Sequence, residues 1–363
     1  MSDVMRAEVV GSMLRPAELK AARLEFLAGN FDGSELERLE NEAVDECLRI
    51  QEQADVDVVT DGEMRRLIFT GPLSEAVDGI EAVSTPPIRW RRGEGEVAAS
   101  NPIAVTGKLT RKRHLAVEEH SYARQHTTKP LKVTLPSPLM IALFWSPEHS
   151  TAAYADAFDA FADGAAIIKE EARELVRLGC EYIQIDAPEL ATLVDPSQRA
   201  HYESLGISPA RMMTEGMDLL NGIADVPGVR WGIHFCRGNN DGQWMSAGGY
   251  EAISADAFPR ASNYDVLLLE YDDQRSGDFG PLRDVPDDKV VVLGLVSTKS
   301  DLLESPADLL RRIDEAGQVF PRDQLAISTQ CGFASGAQGN PIEWDTQLRK
   351  LRLVADVARQ AWG

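Results

Sequence analysis

A chain of 363 residues with 58 acidic and 37 basic side chains, formal net charge −21, argues against nucleic acid and anionic membrane surfaces as main partners. Its 44% hydrophobic content is enough for a substantial core, yet no apolar run approaches the ~20 residues that span a bilayer. The polar start Met-Ser-Asp-Val-Met-Arg-Ala-Glu carries no signal peptide, and four cysteines make no disulfide framework, so a reducing cytoplasm is expected.

Eight short runs rich in Val, Ile and Leu are predicted strands, at 8–11, 58–61, 132–135, 182–185, 230–233, 266–269, 290–295 and 325–328. Amphipathic helical stretches lie between most of them, at 34–55, 153–178, 210–223, 306–317 and 345–362. Cys47 and Cys180 fall in helix-like segments and read as core. Strands alternating with helices imply parallel pairing with both sheet faces covered. Eight such units make an α/β protein of the (β/α)8 TIM-barrel class, with residues 1–363 as one domain. That fold needs about 250 residues. The surplus lies in 67–129, which contains Pro86, Pro87, Gly93, Gly95 and the basic run Arg111-Lys112-Arg113. We read it as an insertion between the second and third strands, a hairpin excursion. Its Arg89-Trp90-Arg91-Arg92 cluster reads as a solvated hairpin placed to cover the barrel mouth or to touch a partner.

In this fold active sites lie at the C-terminal ends of the strands. The residues found there are Ser12, Glu63, Pro136, Asp186, His234, Glu270, Lys299 and Cys331. His234 and Cys236, two apart at a strand end, point to the same face. Zinc favours that nitrogen-and-sulfur pairing and needs about two more ligands to close a tetrahedron. Glu270 in Val-Leu-Leu-Leu-Glu-Tyr-Asp and Cys331 in Ala-Ile-Ser-Thr-Gln-Cys-Gly-Phe sit at similar strand ends. The plainer reading of the pair is a half-buried His beside a core Cys. Arginines follow several ring residues: Arg15, Arg65, Arg66, Arg237 and Arg275. Either they make the mouth positive and select an anionic substrate, or they pair with nearby acids such as Asp272 and Asp273.

Six segments in order, spread over nearly the whole chain, resemble the catalytic half of cobalamin-independent methionine synthase and its short relatives. They are Val-Val-Gly-Ser-Met-Leu-Arg-Pro, Asp-Val-Asp-Val-Val-Thr-Asp-Gly-Glu-Met-Arg-Arg, Tyr-Ile-Gln-Ile-Asp-Ala-Pro-Glu-Leu, His-Phe-Cys, the Glu270 strand and Gln-Cys-Gly-Phe. The large N-terminal duplicate of the full-length synthase is missing, so a single-barrel member is expected. The resemblance implies zinc held by His234, Cys236, Glu270 and Cys331. It implies that Ser12 and the backbone at Gly11 bind the carboxylate of an amino-acid thiol, and that Glu63 and Asp186 hold its ammonium. Trp145, in Ile-Ala-Leu-Phe-Trp-Ser, falls near the position where the family stacks a pterin ring; its plainer reading is a core or loop aromatic.

The chain departs from the family after the seventh strand. There the synthases have a His that handles the proton of the leaving pterin, and this chain has Lys299. An ammonium with a reference pKa of ~10.4 is a poor acid unless burial lowers it. It can instead stabilise an alkoxide, as formed when short relatives open epoxides with a thiol such as coenzyme M. The plainer role is a surface lysine or an ion pair with Glu270 or Asp272.

A free thiol with a pKa of ~8.5 is mostly protonated at neutral pH, whereas a coordinated thiol is deprotonated. The expected function is therefore zinc-dependent alkyl transfer to a small-molecule thiol. The first reading is methyl transfer to homocysteine or a related thiol from a folate or corrinoid donor. The second is epoxide or other alkyl transfer to a thiol such as coenzyme M. The third is a metal-free barrel, a lyase or a binding protein. Glu270, as a ligand displaced by the substrate sulfur, and Lys299 are the catalytic candidates; Arg15 and Arg237 are substrate-binding candidates. A homo-oligomer is compatible with all three.

Overall fold

The computed structural model describes residues 4–93 and 95–363. Its strands are β1 (Ala7–Glu8), β2 (Val77–Ala82), β3 (Ile88–Arg92), β4 (Gly95–Ala99), β5 (Ile103–Arg111), β6 (Lys132–Pro136), β7 (Tyr182–Asp186), β8 (Arg230–Phe235), β9 (Val266–Glu270), β10 (Val290–Ser297) and β11 (Leu325–Gln330). Seven form one sheet in the order β1-β11-β10-β9-β8-β7-β6. All its ladders are parallel.

The predicted second strand is reduced to a bridge, Val59 against Leu131. It still closes the ring. The Asp57 amide donates to Ala7 O (2.9 Å) on one side, and that of Lys132 to Val59 O (2.9 Å) on the other. A ladder is absent because side chains take its place. The Asp57 carboxylate accepts from the amides of Arg6 (2.6 Å) and Ala7 (3.0 Å). The Gln51 amide pairs with both backbone groups of Thr60, at 3.0 and 2.8 Å. The circuit is the barrel predicted from alternation.

Strands such as β9 are buried at every position, as expected where helices cover the outer face and packed side chains fill the interior. The helix Gly33–Ala54 shows how the outer layer is specified. Asp32 caps it by accepting from the amides of Ser34 and Glu35, at 2.9 and 3.2 Å. Leu36, Leu39, Ala43, Val44, Cys47 and Leu48 recur at helical spacing on the buried face. The predicted helix 210–223 is interrupted by a π-helical turn, Met212–Gly216. Helix Ala17–Leu27 was not predicted; its apolar periodicity is weak, with Leu24 and Leu27 exposed. Cys47 and Cys180 are buried.

Within the stretch read as an insertion, β2 pairs antiparallel with β5 and β3 with β4. The β3–β4 hairpin folds back over the barrel. The Arg91 amide donates to Trp244 O (2.8 Å) and that of Trp244 to Arg91 O (3.1 Å). Arg91 pairs with Asp195 (2.8 Å) and Arg92 with Asp241 (2.7 Å). Among the described residues no helix is long and apolar enough to cross a membrane.

Candidate metal centre

Parallel register sets the strand tips side by side: Pro136 is level with Asp186, and Asp186 with His234. His234 is the penultimate residue of β8, and Cys236 is the first beyond it. Cys331 follows β11 directly in left-handed backbone (φ 56°), a conformation rare outside glycine and found where surroundings enforce it. Gly332 shows what enforces it: a Cβ there would lie 1.8 Å from Ser12 Oγ. The next amide, Phe333, donates to Ser12 O at 2.8 Å. The loops after β1 and β11 are thus locked together.

The ligand atoms of His234, Cys236 and Cys331 all lie within 4.8 Å of one another, and all three residues are buried. Asp186 Oδ1 lies 3.0 Å from His234 Nδ1 and accepts from Gln184 Nε2 at 2.7 Å. Nε2 of the imidazole has no hydrogen-bond partner. Burial works against the imidazolium, but the Asp186 hydrogen bond and the Cys331 sulfur outweigh it and push the His234 pKa up to about 9. Neighbouring Cys236, then burial, push the Cys331 thiol well above its usual range.

Glu270 lies outside this group of three. Its Oε1 accepts from Arg275 Nη2 (2.8 Å) and Lys299 Nζ (3.4 Å). Its Oε2 accepts from the Arg237 amide (2.6 Å) and Gln330 Nε2 (3.3 Å). Burial opposes the carboxylate, but Lys299, Arg275 and Arg237 together hold it well below the usual carboxylate range. Gln330 Nε2 also lies 3.1 Å from Cys331 Sγ. Lys299 Nζ reaches Asp272 Oδ2 at 2.9 Å. These are the contacts of the ion-pair reading of Lys299.

The group of three opens into a cavity of about 230 Å³ that Gly11, Ser12, Glu63, Asp186 and Glu189 also line. No Lys or Arg is among its described lining residues. The titratable carboxyls in its wall are Glu63, Asp186 and Glu189. Arg15 and Arg237 do not line it. Arg15 donates to the carbonyls of Ala334 (2.8 Å), Gly336 (3.2 Å) and Glu63 (3.1 Å), tying loops together. Arg237 is fully buried, stacks 4.1 Å from the Tyr250 ring centre and donates to Gly248 O (2.8 Å) and Glu270 O (3.3 Å). Trp145 is directed elsewhere, its Nε1 donating to Leu205 O (3.1 Å) in the wall of an adjoining cavity of about 460 Å³.

Two lining carboxyls are unusual. Glu63, at φ 55°, accepts from Thr134 Oγ1 at 2.8 Å and leaves Oε2 without a partner. Burial pushes its pKa up to about 7, against the pull of Arg66. Gly11 makes room for it, since a Cβ there would lie 2.7 Å from Glu63 Oε1. Glu189, unnoticed in the sequence, accepts from the Ser137 hydroxyl and likewise leaves Oε2 unpartnered. Burial pushes its pKa up to about 8. Its only signal was its place in Ile-Asp-Ala-Pro-Glu, three residues beyond Asp186. Ile88 and Trp90 of the hairpin also line this cavity, while Arg89, Arg91 and Arg92 of the same cluster pair with Glu96, Asp195 and Asp241.

Known proteins agree with this architecture. YxjH of Bacillus subtilis (strain 168) is 35% identical over 361 residues, 98% of this chain and 94% of that protein. A 5-methyltetrahydropteroyltriglutamate–homocysteine methyltransferase of Mycolicibacterium paratuberculosis is 27% identical over 353 residues, 96% of this chain but 42% of its own length. The solved structure of a B12-independent methionine synthase from Shewanella sp. W3-18-1, in complex with selenomethionine, superposes with a TM-score of 0.76 at 20% identity, covering 98% of this chain and 97% of that one. The family model of the cobalamin-independent synthase catalytic domain matches residues 5–360, and the chain belongs to that family.

Proposed function

We propose that this cavity methylates a small-molecule thiol, homocysteine or a close relative, with zinc held by His234, Cys236 and Cys331. The observation that carries this reading is one imidazole and two thiols converging, buried, where the strands end. His234 Nε2 has no hydrogen-bond partner, while Asp186 fixes the other ring nitrogen, the usual support for a ligating His. One nitrogen and two sulfurs suit zinc, and three protein ligands leave a position for substrate. Bound there, zinc supplies the charge that keeps a thiol ionised and nucleophilic at neutral pH.

The remaining residues bind and orient. The acidic wall of Glu63 and Asp186 suits an ammonium group. Ser12 and the Gly11 backbone are left for the carboxylate of the same amino acid. Glu270 is the reserve ligand: Gln330 Nε2 touches both its Oε2 and Cys331 Sγ. We assign it the fourth position when no substrate sulfur is present. X-ray absorption of the zinc-loaded protein is expected to show an oxygen replaced by a sulfur when homocysteine is added; an unchanged coordination shell removes Glu270 from the set. The donor is a methyl-folate or a methyl-corrinoid. Epoxide opening is the weaker reading, because Lys299, its alkoxide partner, is engaged by Glu270 and Asp272.

The deciding experiment pairs elemental analysis of the purified protein with S-methylation assays on homocysteine, using methyl-folate, methylcobalamin and a small epoxide. About one zinc per chain and a methylated thiol are expected. Full activity in a preparation free of transition metal overturns the reading.

A further inference from the structure

Transfer of a methyl group from nitrogen leaves a basic nitrogen that must be protonated, and Lys299 does not line the cavity. Glu189 does. It is 4% exposed, in the short helix Pro188–Thr192 at the end of β7. One of its oxygens accepts from the Ser137 hydroxyl, and the other has no partner. Among the described residues no cation forms an ion pair with it, unlike Glu63, which has Arg66 at 3.6 Å. The titratable groups facing it are Asp186 on β7, Tyr202 on the helix Pro196–Ser204 and Tyr264 ahead of β9. None of them stabilises a carboxylate. Burial without a cation keeps such a group protonated at neutral pH, and its pKa rises to about 8. The apolar wall beside it, Leu139, Met140 and Leu143, follows directly on Ser137. Tyr202 lines both this cavity and the adjoining one, which gives a donor larger than the thiol room to extend.

We propose that Glu189 is the acid that protonates the leaving nitrogen of an N-methyl donor bound in this cavity. The proposal rests on the thiol-methylation reading above. In the step, the substrate sulfur forms a bond to the methyl carbon, and the nitrogen–methyl bond breaks with its electron pair remaining on nitrogen. The carboxyl proton of Glu189 passes to that nitrogen. The resulting carboxylate accepts from Ser137 and regains a proton from solvent, which took up the one released by the thiol.

The test compares two donors, 5-methyltetrahydrofolate and methylcobalamin, with homocysteine and the zinc-loaded full chain. The cobalt leaving group of the second donor takes up no proton in the transfer. Glu189→Gln is expected to lower the ratio of folate-dependent to cobalamin-dependent kcat by about 100-fold or more. KM is expected to change little, and the fall in folate-dependent rate above about pH 8 is expected to disappear. Glu189→Asp should recover part of the ratio. In the metal-free protein at pH 7, infrared difference spectra should show a protonated-carboxyl stretch that the Gln variant lacks. An unchanged ratio, or no such band, overturns the proposal. A wild-type chain that uses methylcobalamin alone also overturns it while leaving thiol methylation intact. One that methylates from neither donor overturns both.

Discussion

Replacing Cys331 by Ala is expected to empty the metal site and to lower methyl transfer by about 1000-fold or more. A bound metal contributes several kcal/mol of charge stabilisation to a reacting group, and each 1.36 kcal/mol is tenfold in rate. The same substitution at Cys180, which is buried and does not line the cavity, is expected to leave zinc content and rate unchanged. That pair of variants separates loss of a ligand from loss of a packed thiol. Stability should fall only modestly in either, because a small buried side chain is exchanged for a slightly smaller one. Zinc stoichiometry by elemental analysis, turnover and thermal melting read the three quantities independently. Undiminished zinc and turnover in Cys331→Ala would remove the metal reading altogether.

The second large effect concerns folding. Glu270→Ala is expected to destabilise the protein by about 3–5 kcal/mol, the usual consequence of removing one member of a buried ion-pair network. Glu270 is fully buried and answers Lys299, Arg275 and the Arg237 amide at once. Its removal takes one carboxylate from each of two cations, leaving Lys299 with Asp272 and Arg275 with Asp273. The sign with pH follows from the depressed pKa. The Glu270 contribution is complete above the ordinary carboxylate range of ~4.3 and is lost as pH falls toward the lower native value. The isosteric Glu270→Gln variant should therefore show a shallower loss of stability on acidification than the wild type. Denaturant unfolding at pH 7 and pH 4 measures both effects. Wild-type stability at pH 7 in Glu270→Ala would show that the cations find other partners.

The barrel and the group of three were legible because both depend on short-range pattern. Apolar runs of strand length alternating with helical periodicity determine parallel order, and the fold then aims every strand end at one mouth. His234 and Cys236 follow from the two-residue period of a strand. What the pattern left undecided was reach. Arg15, Arg237 and Lys299 stand at the right places in the chain, but long side chains choose partners in three dimensions, and each turned inward to a carbonyl or a carboxylate. Glu189 was illegible in the opposite sense: an acid after a proline reads as an ordinary first-turn residue, and nothing nearby in the chain marks an oxygen facing a cavity. The second strand kept its place but lost its ladder because the Asp57 and Gln51 side chains satisfy the backbone first.

The closeness of Cys236 to Cys331 also bears on how the protein must be made and kept. Two thiols within 4.8 Å are well placed to be oxidised to each other when nothing holds them apart. Captured metal is then a protective cap as much as a cofactor. A chain that meets dioxygen before it meets zinc would close its own site with a staple, and reductant, rather than added metal alone, would reopen it.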